Sequence, residues 1–214
     1  MNPVVAAAVM GGLGLIVGGV FAVVSARLRD DQHGAMARWR DPLIVSGGGV
    51  LGVWAGFSGE TWLMAVATAI LGCQLLLIAI VDGENFWLPD TLTWPLVVTG
   101  LGVAAIPGWN VALSHLLGAA VGFCGLWALG RLYRIVRRRD GLGGGDPFLF
   151  AGAGAWVGWM GLPSVLFWAC AVSLSLVFVM LVARRHIGLT QKLPFGVFLA
   201  IGIWLTWLYG PLGA

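Results

Sequence analysis

Asp82 and Asp146 each stand where a long apolar run meets a polar loop, and each carries its own motif. The first reads Asp82-Gly83-Glu84-Asn85-Phe86-Trp87-Leu88-Pro89-Asp90, the second Gly143-Gly144-Gly145-Asp146. An ionisable group is costly at membrane depth, so a chain that keeps one there marks a functional candidate. Two carboxyl groups that face one another can share a single proton, the working state of an aspartic protease. The ionised member then takes a proton from water while the protonated member polarises the carbonyl of the peptide to be cut. Such a pair titrates as a unit, so the sequence assigns the proton to neither aspartate. Glycines at 141, 143, 144 and 145 let the backbone ahead of Asp146 turn sharply and approach a substrate strand. Pro147 suits the first turn of the span that follows.

Plainer readings of the same residues stay open. Asp146 before Pro147 also fits a helix N-cap, and a Gly-rich loop also fits simple flexibility. Asp82 also fits an interfacial charge that ends its span. Asp90, after Pro89 and before Thr91-Leu92-Thr93, reads as a helix cap rather than a catalyst. Glu84 reads as a solvated loop residue, though it is placed to meet a basic substrate segment. His33, His115 and His186 lack ligand spacing. The absence of Gly-x-Ser-x-Gly and His-Glu-x-x-His argues against serine and zinc proteases. Cys73, Cys124 and Cys170 each lie alone in an apolar run, which argues against a structural zinc site or a disulfide framework and reads as buried small hydrophobes. No metal site is expected.

The elements that must hold the two aspartates follow from composition. The chain has 214 residues, 59% of them hydrophobic and only 10% charged, with 34 glycines and 12 tryptophans. That balance belongs to an all-α, polytopic integral membrane protein. About eight transmembrane helices are expected, over Val4–Ala26, Leu43–Phe57, Trp62–Val81, Thr91–Ile106, Val111–Arg131, Pro147–Met160, Ser164–Ala183 and Pro194–Tyr209. The second and sixth are short and glycine-rich, which suits tilted or sheltered segments. Residues 1–26 lack a basic leader and cleavage site, so they read as a span that stays. The whole of 1–214 reads as a single transmembrane peptidase domain. With eight spans, Arg27, Arg29, Arg38 and Arg40, the cluster from Arg131 to Arg139, and Arg184, Arg185 and Lys192 all fall on one side. The positive-inside rule makes that side cytoplasmic, and both aspartates lie on it. The net charge of +3 is loop basicity facing anionic lipid rather than nucleic acid.

These stretches resemble the type IV prepilin peptidase family, the bacterial GxGD-type aspartic proteases. Leu13 to Val24, ending at Arg27-Leu28, resembles the family's first span. Asp82 with Leu88-Pro89-Asp90-Thr91-Leu92-Thr93 resembles its first aspartate motif. Gly141 to Asp146, followed by the small-residue run from Ala151 to Gly158, resembles its second. Lys192-Leu193-Pro194-Phe195-Gly196 resembles the opening of its last span. The resemblance implies that Asp82 and Asp146 are the catalytic pair. It implies substrate-binding or motif-support roles for Gly143, Gly145, Glu84, Pro89, Asp90, Lys192, Pro194, Phe195 and Gly196. The implied substrates are type IV prepilins or type II secretion pseudopilins, whose short basic leader is removed at the cytoplasmic face of the bacterial inner membrane.

The implied partners are those substrates and membrane lipids, with the oligomeric state left open. Proteolysis is expected to need no cofactor, and S-adenosylmethionine enters only if N-methylation of the product is retained. Two departures bear on this. Full-length bacterial members carry a cytoplasmic insert with two CxxC pairs after the first span, and the loop from Arg27 to Asp41 has none, which puts N-methylation in doubt. Phe148 stands where the family often has Lys. The competing reading is a non-catalytic membrane transporter or a pilin-binding pseudo-enzyme, against which stand the two intact motifs and the lack of an internal repeat. A presenilin-like protease shares the second motif but not the form of the first.

Glu84→Lys and Asp90→Lys together are expected to slow cleavage of leaders that carry lysines by about tenfold, the effect of ~1.4 kcal/mol. Lysine-free leaders should be spared. Equal rates on both leader types would remove these two side chains from leader recognition.

Overall fold

Hydrocarbon offers no partner for a free peptide N–H or C=O, so an apolar chain of this kind must close its hydrogen bonds within helices. A computed structural model describes residues 2–27, 37–59, 61–85, 88–138, 143–183 and 194–213. Among them the secondary structure is helical and contains no strand. The helices are α1 (Pro3–Arg27), α2 (Ala37–Ser58), α3 (Trp62–Asn85), α4 (Asp90–Ala105), α5 (Trp109–Arg137), α6 (Asp146–Val182) and α7 (Phe195–Tyr209). Lys192 lies outside the described residues, as do Arg29, His33, Arg139, Gly141, Arg184, Arg185 and His186.

Four helices are long and apolar enough to cross a membrane, over Pro3–Val23, Trp62–Asn85, Trp109–Arg137 and Asp146–Val182. α6 gathers into one element the two spans expected at 147–160 and 164–183. Its 37 residues would make a straight rod of about 55 Å, well beyond the ~30 Å of bilayer hydrocarbon. Gly158 breaks it, with φ 70° and ψ 175°, a conformation that side-chain-bearing residues rarely adopt. Pro163, which has no N–H to donate, lies five residues further on. The separation between the two expected spans is therefore a backbone break rather than a loop.

The chain divides into two compact units, Met1–Leu77 and Ile78–Ala214. In the first, α1 and α2 meet through glycines one helical turn apart, Gly14 and Gly18 on one side and Gly48, Gly52 and Gly56 on the other. A methyl group added at Gly14 would overlap the Gly48 carbonyl, and one at Gly52 the Met10 carbonyl. Bare backbones can approach this closely only where no Cβ intervenes, which gives dispersion contact without any hydrophobic drive from water.

In the second unit α6 is the common partner of α4, α5 and α7. Gly118 of α5 abuts the α6 backbone at Gly154 and Gly158. Trp156 is 1% exposed. Its indole N–H donates to the Leu96 carbonyl of α4 at 2.9 Å, and its ring meets Trp207 of α7 edge-on at 5.2 Å. His115 Nδ1 lies 2.9 Å from the Ala155 carbonyl, whose helical partner would fall just past the break at Gly158. A buried carbonyl left over by a break needs such a partner.

The cysteines differ from expectation. Cys73 is buried, but Cys124 and Cys170 are on exposed helix faces, because a thiol is as compatible with lipid as with a core. Ile16, Leu174 and Val182 are likewise about two-thirds exposed. Water would penalise so large an apolar surface, whereas lipid matches it. The protein is therefore a membrane protein.

Gly158→Ala is expected to lower stability by about 1–2 kcal/mol, the cost of the left-handed backbone for a residue with a Cβ. Gly102→Ala is the control, since nothing lies within 4 Å of its added methyl. Unfolding in detergent should separate the two, and equal midpoints would show that the break does not depend on glycine.

Candidate active site

Asp82 lies near the C-terminal end of α3 and is 6% exposed. Its Oδ2 accepts the N–H of Val197 at 3.1 Å, and Gly196 lies directly beside this carboxylate. The donor comes from the first turn of α7, whose early amides have no partner inside their own helix. Ordinarily a Ser, Thr, Asp or Asn at the N-cap takes them. Here the N-cap is Pro194, which makes no side-chain cap bond. Asp82 thus caps α7 from another helix. A methyl group on Gly196 would sit 2.7 Å from Asp82 Oδ2, so this approach requires the glycine.

Asp146 opens α6 and is 5% exposed. Its Oδ2 accepts the Gly143 N–H at 2.9 Å, and its own N–H donates to the Gly143 carbonyl at 3.3 Å. The side chain is thereby turned back into the glycine loop and does not cap α6; Gly145 occupies the cap position. Gly145 is buried, and a methyl group there would meet the Leu88 carbonyl at 2.7 Å. The residues that follow Asp82 in the first motif therefore lie against the glycine loop of the second.

Motifs separated by more than sixty residues in sequence converge at one end of α6. No described basic side chain neutralises either carboxylate. Carboxyl groups buried in this way, each held by a main-chain amide and with no described cation beside it, are candidates for acid–base function.

The other sequence candidates separate. Gly143, Gly145 and Gly196 belong to the convergence. Pro194 and Phe195 are half-buried at the start of α7, and Pro89 is the N-cap of α4. Glu84 and Asp90 are exposed. Asp90 does not cap α4 as expected: Pro89, with ψ 141°, takes that place and no side-chain cap bond forms. Its carboxylate instead adds negative charge at the positive end of the helix. Phe148, two residues beyond Asp146, projects from the opposite side of α6. It packs on Phe123 at 4.9 Å between ring centres. Both line a cleft of about 240 Å³ with Thr93, Trp94, Val97 and Ala151. Among the described residues no group of three or more His, Cys, Asp or Glu is placed to hold a metal.

The Val197 amide and the Leu88 carbonyl were beyond sequence reasoning, because main-chain groups carry no residue signature. One signal was present: Pro194 ahead of an apolar helix leaves that helix without a capping side chain.

The chain matches the model of the type IV leader peptidase family over residues 69–180, just over half its length and including both aspartates. It belongs to that family. It is similar to the prepilin leader peptidase/N-methyltransferase of Stutzerimonas stutzeri, with 35% identity over 172 residues, covering 80% of this chain and 59% of that protein. The protein of the same description from Aeromonas hydrophila is 32% identical over 145 residues, 68% of this chain and 50% of that one. That from Dichelobacter nodosus is 37% identical over 137 residues, 64% and 46% respectively. The chain thus spans about half the length of the curated relatives it matches. No solved structure matches it.

Asp82→Ala is expected to lower the detergent unfolding midpoint, through loss of a cap worth about 1 kcal/mol. Asp82→Asn keeps an oxygen acceptor and should retain most of that stability. Equal losses in both would show that capping by Asp82 does not support α7.

Proposed function

We propose that this chain is a membrane aspartic endopeptidase with Asp82 and Asp146 as its catalytic pair. Its substrates in this reading are type IV prepilins or type II secretion pseudopilins, from which it removes the short basic leader. The observation that carries the reading is that two buried carboxyl groups, in motifs that touch through Leu88 and Gly145, lie inside the segment that matches the leader peptidase family.

Two like charges held close cannot both persist in a poorly hydrated site, so one carboxyl is ionised and the other protonated. The ionised member removes a proton from water as the water oxygen bonds to the scissile carbonyl carbon. The protonated member gives its proton to the carbonyl oxygen. Collapse of the resulting diol breaks the C–N bond, the amine nitrogen takes one proton, and the pair returns to its starting state. The products are the leader with a free carboxyl group and the mature chain with a new N-terminus. Proteolysis by this route needs no cofactor.

The proposal places the pair on the cytoplasmic side of the bacterial inner membrane, within a single transmembrane peptidase domain over residues 1–214 that lacks a zinc-binding insert. Counting the two arms of α6 separately gives eight segments. With that count every Lys and Arg falls on the aspartates' side, as the positive-inside rule asks. Glu84 and Asp90, both exposed, supply negative charge for a basic leader. N-methylation stands apart: the 240 Å³ cleft beside Phe148 is lined by apolar side chains and one threonine. It presents no charged group for the zwitterionic, sulfonium-bearing S-adenosylmethionine, so no step is derived through that donor.

Membranes containing the native chain should remove the leader from a prepilin and a pseudopilin. Asp82→Asn and Asp146→Asn should each lower the rate by roughly three orders of magnitude or more while still inserting. Normal processing by either variant would remove that aspartate from the chemistry and favour a non-catalytic membrane role. A mass increase of one methyl group on the product would establish the second activity.

A further inference from the structure

The two carboxyl groups of the pair do not have equivalent surroundings. Asp82 receives the peptide N–H of Val197 at 3.1 Å, and Gly196 brings the backbone of the same turn against its carboxyl group. Gly196 and Val197 are the second and third residues of α7. Amides at that position point outward along the helix axis at the positive end of its dipole, and they favour a negative charge. With Pro194 at the N-cap, no side chain of α7 competes for them.

Asp146 also begins a helix, but the first turn of α6 serves it differently. Pro147 has no N–H, and that of Leu149 goes to the Gly145 carbonyl at 3.0 Å. The Asp146 carboxyl group turns back to a single amide, that of Gly143 in the preceding loop. The charged residues nearest in sequence, Glu84 and Asp90, have exposed side chains. The difference between the two carboxyl groups is the source of the amide each accepts: a helix N-terminus at Asp82 and a loop at Asp146.

We propose that the first turn of α7 holds the charge of the pair on Asp82 and leaves Asp146 to carry the shared proton. Gly196 and Val197 are then positioning residues: one permits the approach, and the other supplies the amide. The assignment rests on the catalytic reading above and gives each aspartate a role. Asp82 takes the proton of the attacking water and later delivers it to the leaving amine. Asp146 protonates the carbonyl oxygen and recovers that proton when the diol collapses.

The test is the pH profile of kcat/KM for leader cleavage, whose acidic limb reports the base and whose alkaline limb reports the acid. Two changes weaken the bond to the α7 amide: Gly196→Ala, and replacement of Val197 by α-hydroxyvaline, which exchanges the peptide N–H for an ester oxygen. Loss of an N–H donor favours the neutral carboxyl, so ionising the base then requires a higher pH. The acidic limb should move up by about one pH unit, as expected for a hydrogen bond to a charged group. The alkaline limb should move less. Replacing Gly143 by glycolic acid should move the alkaline limb instead.

The opposite pairing of variants and limbs would make Asp146 the base and overturn the assignment. So would a lower rate with both limbs unmoved in the α7 variants, since that is the mark of a purely structural role. If Gly196→Ala does not fold, the ester decides, because it adds no atom to the contact. Failure of the catalytic reading itself is recognised separately, by processing that survives in Asp82→Asn or Asp146→Asn.

Discussion

The arrangement at Asp82 depends on a hydrogen-bond debt at the start of α7. A helix that begins after a proline has amides to satisfy and no side chain of its own to satisfy them. A buried carboxylate with no described cation beside it has the complementary need. At Asp82 the two needs meet, and each removes the penalty of the other. The contact reaches from the end of α3 to the start of α7 and tolerates no Cβ on the residue between them. Asp146 solves the same problem locally, by folding its side chain back onto the glycine loop that precedes it.

Around this contact, α6 does most of the positioning. Its first arm carries Asp146 at one end and Trp156 near the other, tied to α4 by an indole hydrogen bond and to α7 by ring contact. The same α7 supplies the amide at Asp82, so one arm of one helix relates the two carboxyl groups. Small residues make this possible. Where lipid surrounds a helix, apolar side chains gain little by turning inward. Close packing therefore comes from glycine and alanine, while Leu, Val and Ile are left to face hydrocarbon.

Much of this was open to reading in one dimension. Helical class followed from composition, and the beginnings and ends of apolar runs located most helices within a few residues. Asp82 and Asp146 stood out because charge is scarce and placed at the margins of apolar runs. The family resemblance rested on the same residues. Less legible were the identities of the caps. Asp90 has the right residue type and the right place for a helix cap, yet Pro89 takes the position. Asp146 has both as well, yet its carboxyl group faces the other way. Residue type states what a side chain can bond, while the competing partners are settled by what folds against it.

The linear order of residues was enough to determine that the chain is a helical membrane protein with two isolated acidic motifs, because hydropathy and charge are properties of residues taken singly. Tertiary structure alone decided that Asp82 shares its surroundings with Gly196 and Val197, that Leu88 lies against Gly145, and that a long helix breaks at Gly158. Those outcomes rest on main-chain amides and carbonyls, which every residue but proline carries alike, and on clearances of one methyl group between backbones far apart in sequence. Neither leaves a mark in the residue alphabet until the chain has folded.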